Sequence, residues 1–104
     1  MIARVWRGRA ATVHAADSYS AHLRDTVLPG LEAIAGFLGV YLLRRETSGG
    51  IELEVVTLWE SLAAIQSFAG DSLEQAVVEP QVRALLHEFD DRVRHFDIPF
   101  HQIV

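Results

Sequence analysis

The stretch Leu58-Trp59-Glu60-Ser61-Leu62-Ala63-Ala64-Ile65-Gln66-Ser67-Phe68 decides the fold. It reads as the end of a strand passing directly into a capped helix. Ser61 is placed to accept hydrogen bonds from the first helical amides, and Leu62, Ile65 and Phe68 form an apolar stripe at helical spacing. Gly70 is placed to stop that helix.

Upstream, Phe37–Thr47 and residues 51–60 are runs of β-branched and aromatic residues joined by Ser48-Gly49-Gly50, a hairpin signal. Leu53, Val55, Thr57 and Trp59 share one face of the second run, and Glu52, Glu54, Val56, Leu58 and Glu60 the other. Before the hairpin, Tyr19, Leu23, Val27, Leu31 and Ile34 recur at helical intervals from about Ala15 to Ala35. Pro29-Gly30 predicts a kink or a break there, and Gly36 a left-handed cap. Residues 2–11 read as a first strand, with Ile2, Arg4, Trp6 and Gly8 on one face and Ala3, Val5, Arg7 and Arg9 on the other. Neither face is purely apolar, so both are expected to be partly covered.

Downstream, Asp71-Ser72-Leu73-Glu74 carries a capping-box pattern and predicts a short restarted helix. Pro80 fits the first turn of another, carrying Val82, Leu85, Leu86 and Phe89 and ending near His87. From about Arg92 to Ile98 the chain reads as extended. The order β-α-β-β-α-β predicts an α+β domain spanning residues 1–104. It is a ferredoxin-like split βαβ arrangement, with a four-stranded antiparallel sheet and helices on one face. The bare sheet face would carry Trp6, Val56 and Leu58 or their opposite-facing neighbours, and an apolar face of that size predicts a two-fold homodimer.

Composition narrows the function. Half of the 104 residues are apolar and 22% are charged, as in ordinary globular proteins. No apolar run reaches the roughly 20 residues that span a bilayer, and Met1–Arg7 lacks a signal-peptide pattern, so no membrane role and a cytoplasmic location are expected. The chain has no Cys, no Lys and no Asn. Thiolate, Schiff-base and P-loop chemistry are thereby excluded. A net charge of −5 with dispersed arginines argues against nucleic acid as a partner.

With that topology in place, the chain resembles the antibiotic biosynthesis monooxygenase family of the dimeric α/β-barrel superfamily. The resemblance rests on Met1–Trp6, Gly36–Arg45, Thr57–Ser61, Ile65–Gly70 and Ala76–Pro80. It implies two ferredoxin-like subunits whose sheets pack into a barrel, each with a pocket between sheet and helices. Some members oxygenate polycyclic aromatic substrates without metal or flavin, and some degrade haem. Fold alone does not choose among these.

Arg7 stands on the first strand where the haem-degrading branch places a pocket Asn. A guanidinium there could hold a carboxylate, phenolate or enolate; the alternative is an ion pair with Glu52 or Glu54. His22, His87 and His95 are candidate bases, each with a structural or surface role as the alternative. Tyr19, Trp59 and Phe68 are candidate walls for an aromatic ligand, with a core-anchor role as the alternative for Trp59 and Phe68. The histidines form no metal-ligand spacing and no nucleotide loop follows a strand, so neither metal nor cofactor is expected. No His occurs from Ser61 to Leu86, where the haem-degrading members carry their iron ligand, which disfavours haem degradation. Two readings stay open. One is a cofactor-independent oxygenase of a small aromatic or polyketide-type substrate, using Arg7 with His22 or His87. The other is a non-enzymatic dimeric barrel binding a small hydrophobic ligand.

Overall fold

A computed structural model describes all residues from Met1 to Val104. Alternation builds the sheet. β1 (Ile2–Ala10) pairs antiparallel with β3 (Gly50–Trp59), and β3 pairs with β2 (Phe37–Thr47) across the two-residue turn Ser48-Gly49. The β1–β3 register sets Ile2 against Trp59, Arg4 against Thr57, Trp6 against Val55 and Gly8 against Leu53. The even residues of β1 and the odd residues of β3 therefore share one face. That face carries Leu53, Val55 and Trp59, all buried, and it is the face the helices cover.

The last strand differs from expectation. It is split into β4 (Glu88–Phe89) and β5 (Arg94–Asp97), both antiparallel to β1. The sheet thus has five strands in four positions, β2-β3-β1 followed by β4 and β5. Phe89 belongs to β4, not to a helix, and His87 follows the helix end in an exposed position. Backbone pairing with β1 wins over helical period here: His87 N–H donates to the Arg9 carbonyl, and Asp90 N–H to that of Arg7.

The first helical region runs as α1 (Val13–His22), a π-helical turn (Leu23–Val27) and α2 (Leu28–Glu32). Pro29 has no N–H to donate, and the wider turn ahead of it, with Leu28 N–H on the Leu23 carbonyl, accommodates it without a break. α2 ends at Ala33 in a right-handed conformation, so Gly36 is not the helix cap expected of it; it turns with φ 92° just before β2, where a Cβ would stand 2.6 Å from Ala64 Cβ. Gly50 has φ 121° where the hairpin crosses the Ala10 carbonyl. Only glycine fits either position without strain.

Ser61 caps α3 (Leu62–Ala69) by accepting from the Ala64 amide, and Pro80 opens α4 (Pro80–Leu85). Asp71–Glu74 does not restart a helix. Its backbone is engaged elsewhere: the Leu73 carbonyl accepts from Arg4, and that of Glu74 from Val93 N–H. Two adjoining cores result. One gathers Tyr19, Leu23, Leu53, Val55, Val82 and Leu86; the other centres on Trp59 with Leu31, Ala64 and Ile65.

The opposite face of the sheet has no helix. It carries Tyr41, Leu43 and Phe96, each about half-exposed, together with Val56 and Leu58. Trp6 lies on the helix side, so of the residues expected on the bare face only Val56 and Leu58 are there. No helix is long and apolar enough to cross a membrane.

Candidate functional site

The helix-covered face of β1 and β3 does not meet the helices everywhere. Between it and α1, the π turn, α4 and the irregular segment before Pro80 lies a cavity of about 90 Å³. Its walls are apolar, from Trp6, Leu23, Val27, Leu31, Val55 and Phe68 among others, and its polar residues are Arg4, Thr57, Tyr19 and Glu79.

Arg4 is only 4% exposed. Its Nη1 donates to the Leu73 carbonyl at 2.5 Å and lies 3.0 Å from His95 Nε2, while Nη2 donates to the Gln75 carbonyl at 2.8 Å. The guanidinium also stands over the Phe68 ring, 5.7 Å from its centroid. It forms no ion pair with a carboxylate. Burial alone lowers its pKa from the ordinary value.

To take that hydrogen bond, His95 Nε2 must be the unprotonated nitrogen. Desolvation first, and the Arg4 charge second, lower the His95 pKa below its ordinary 6.5, against a smaller opposing effect of Glu74. The unfolded chain therefore binds the His95 proton more readily than the folded one. The stabilising contribution is complete above about pH 6.5 and is lost as pH falls through the folded pKa. We expect the melting temperature to fall between about pH 7 and 5, and His95→Gln to flatten that decline. A pH profile unchanged by the substitution would show that the Arg4–His95 contact carries no such linkage.

At another part of the wall Tyr19 is buried, its ring 5.9 Å from that of Trp6. Burial, and then the charge of Glu79, raise its hydroxyl pKa, so it stays protonated. Behind Glu79 lies His22, with its side chain 11% exposed. Nε2 is 3.6 Å from Glu79 Oε1 and without a hydrogen-bond partner.

Of the residues singled out in the sequence, Tyr19 and Phe68 line the cavity, and His22 stands just behind it. Trp59 does not line it. Fully buried, it packs on Phe37 and Phe68 and donates from Nε1 to Thr57 Oγ1 at 2.9 Å. Arg7 lies on the opposite face of the sheet. Its side chain is 48% exposed and its Nε is 3.6 Å from Glu54 Oε2, the ion pair that was its alternative reading. The alternation that aims Arg4 inward aims Arg7 outward. His87 sits beside the β2–β3 hairpin, where its Cε1 lies 3.5 Å from the Cβ position of Gly50. The structure thus brings Arg7 and His87 to neither the cavity nor each other. The polar cavity residues not singled out in the sequence are Arg4, Thr57 and Glu79. Arg4 had a signal, since it shares a strand face with Trp6.

No protein-family model matches the chain, and no curated protein matches it in sequence. Solved structures do match it. MhuD from Mycobacterium tuberculosis, a haem degrader seen with two haems in its active site, overlays with a TM-score of 0.64. The identity is 20%, over 98% of this chain and 99% of that one. The ActVA-Orf6 monooxygenase of Streptomyces coelicolor, in complex with nanaomycin D, gives 0.61 at 16% identity, over 99% and 90%. A candidate antibiotic biosynthesis monooxygenase from Deinococcus radiodurans gives 0.62 at 12% identity, over 100% and 98%. The resemblance read from the sequence therefore holds at the level of fold. The chain has the α+β, ferredoxin-like fold of antibiotic biosynthesis monooxygenase-type proteins.

Proposed function

We propose that the protein is a cofactor-independent monooxygenase of a small aromatic or polyketide-type substrate, bound between sheet and helices and acting in the cytoplasm. The observation that carries this reading is the cavity itself: an apolar chamber with one buried cation, Arg4, and one carboxylate, Glu79 backed by His22. The substrate inferred for it is a hydroxynaphthalene. Arg4 stabilises the phenolate form; its para carbon attacks molecular oxygen, and the proton that the phenol released completes the hydroperoxide. Glu79, with His22 behind it, takes the ring proton as the O–O bond breaks. One oxygen atom stays on the ring as a quinone carbonyl and the other leaves as water, so atoms and electrons balance without a bound cofactor. The apolar walls suit a reactive carbanion. The small resting volume, and the absence of His from Ser61 to Leu86, favour this reading over haem degradation. The expected result is uptake of one oxygen molecule per quinone formed, followed with an oxygen electrode over a panel of hydroxynaphthalenes. Binding without uptake across the panel would favour the non-enzymatic ligand-binding reading instead.

The bare face supports a two-fold homodimer. Tyr41, Leu43, Val56, Leu58 and Phe96 form an apolar area beside the ion pairs Arg7–Glu54 and Arg45–Glu52. An apolar patch left uncovered by helices suits an isologous interface. Sedimentation equilibrium at micromolar concentration should return twice the chain mass of 11.6 kDa. A single-chain mass would remove the interface.

A further inference from the structure

Among the arginines, Arg4 is the one whose charge nothing offsets. Arg7, Arg9, Arg24, Arg44 and Arg45 each pair with a carboxylate, and Arg83, Arg92 and Arg94 are exposed to water. Arg4 has neither. It is buried, and its partners are two carbonyl oxygens, a neutral imidazole nitrogen and an aromatic ring. Hydrogen bonds to neutral acceptors satisfy donors but leave the full positive charge in a desolvated setting, which is costly. The three contacts also leave the Nε–H and one Nη2–H unused. A guanidinium edge with two free donors can take the two oxygens of a carboxylate.

A phenol alone does not answer this. It is neutral near pH 7 and would supply a counter-charge only after losing its proton. The group that neutralises Arg4 in the resting complex must be ionised on arrival. The charged groups nearby set the orientation. Glu74 is exposed and makes no ion pair with Arg4, while Glu79 lines the same cavity beside Tyr19 and repels an anion from its own end.

We propose that the cavity takes hydroxyaryl carboxylic acids, with the ionised carboxylate paired two-pronged to Arg4 and the ring held between Trp6 and Phe68. A hydroxyl ortho to that carboxylate stays within reach of the same guanidinium. The inference rests on reading the cavity as the ligand site.

Isothermal titration calorimetry with 2-naphthoate and its neutral analogue 2-naphthamide separates the two ideas. The parent protein is expected to bind the acid at least about tenfold more tightly than the amide, the scale of a charge-assisted hydrogen-bonded pair. Arg4→Met should erase that preference while still binding the amide. Arg4→Lys, which keeps the charge and one donor for the Leu73 carbonyl, should retain part of it and serves if the methionine variant does not fold. Equal binding of both ligands by the parent, or tighter binding of the amide, overturns the role of Arg4 and leaves the cavity as a ligand site. A preference for the acid that survives both substitutions also overturns it, by placing the anion on another cation. If neither compound binds, both the inference and the cavity reading fall.

Discussion

Replacing Trp59 by alanine is expected to cost about 3–5 kcal/mol of stability, the range for removing a large aromatic side chain from a packed core. Trp59 is fully buried and occupies the junction where β3 passes into α3. Its ring meets Phe37 edge-on at 5.3 Å and stacks on Phe68 at 5.7 Å, and its indole N–H satisfies Thr57. The substitution opens a void beneath α3 and removes that donor together. Small domains hold only about 5–15 kcal/mol in total, so the loss is a large share. Trp59→Phe, which keeps most of the apolar volume, should cost clearly less. Urea midpoints measured at one protein concentration test this. A loss below about 1 kcal/mol would mean that the junction is not the anchor described. The proposed ligand site should suffer too, because Phe68 lines the cavity and rests on Trp59.

Most of the fold was legible because its signals are local. Ser61, Pro80, Gly70 and the Ser48-Gly49-Gly50 turn each act through the backbone of their immediate neighbours, and each behaves as its chemistry demands, whereas Gly36 takes its positive φ in a turn after the helix has already ended at Ala33. The larger failures are non-local. The capping pattern at Asp71–Glu74 was outweighed by Arg4 and Val93, far away in sequence, which claim the Leu73 and Glu74 carbonyls. Phe89 fits a helical period with Val82 and Leu86, yet pairing with Gly8 draws it into the sheet.

The site shows the same division. Alternation placed Arg4 with Trp6 and opposite Arg7, but arginines on both faces of β1 left open which face meets the helices. The register to β3 settles it. Glu54 stands opposite Arg7 and Thr57 opposite Arg4, so the acidic row of β3 identifies the outward side. Glu79 could not be read at all. It lies just before a proline in a segment without regular structure, and only tertiary packing brings it beside Tyr19 and His22.

The central claim is that ligands are held on the helix side of the sheet, over Arg4, and not on the outer face around Arg7. Val55 forms part of the cavity floor, and phenylalanine there would fill much of a 90 Å³ space. Arg7→Ala removes the pair with Glu54 on the outer face, away from the cavity lining, a contact worth little to the stability of the fold. The most direct measurement is calorimetric titration of both folded variants and the parent with one hydroxynaphthalene ligand. The account predicts that Val55→Phe weakens binding by at least about a hundredfold, roughly 2.7 kcal/mol, while Arg7→Ala leaves it within about twofold. Binding that survives Val55→Phe and disappears with Arg7→Ala would contradict it.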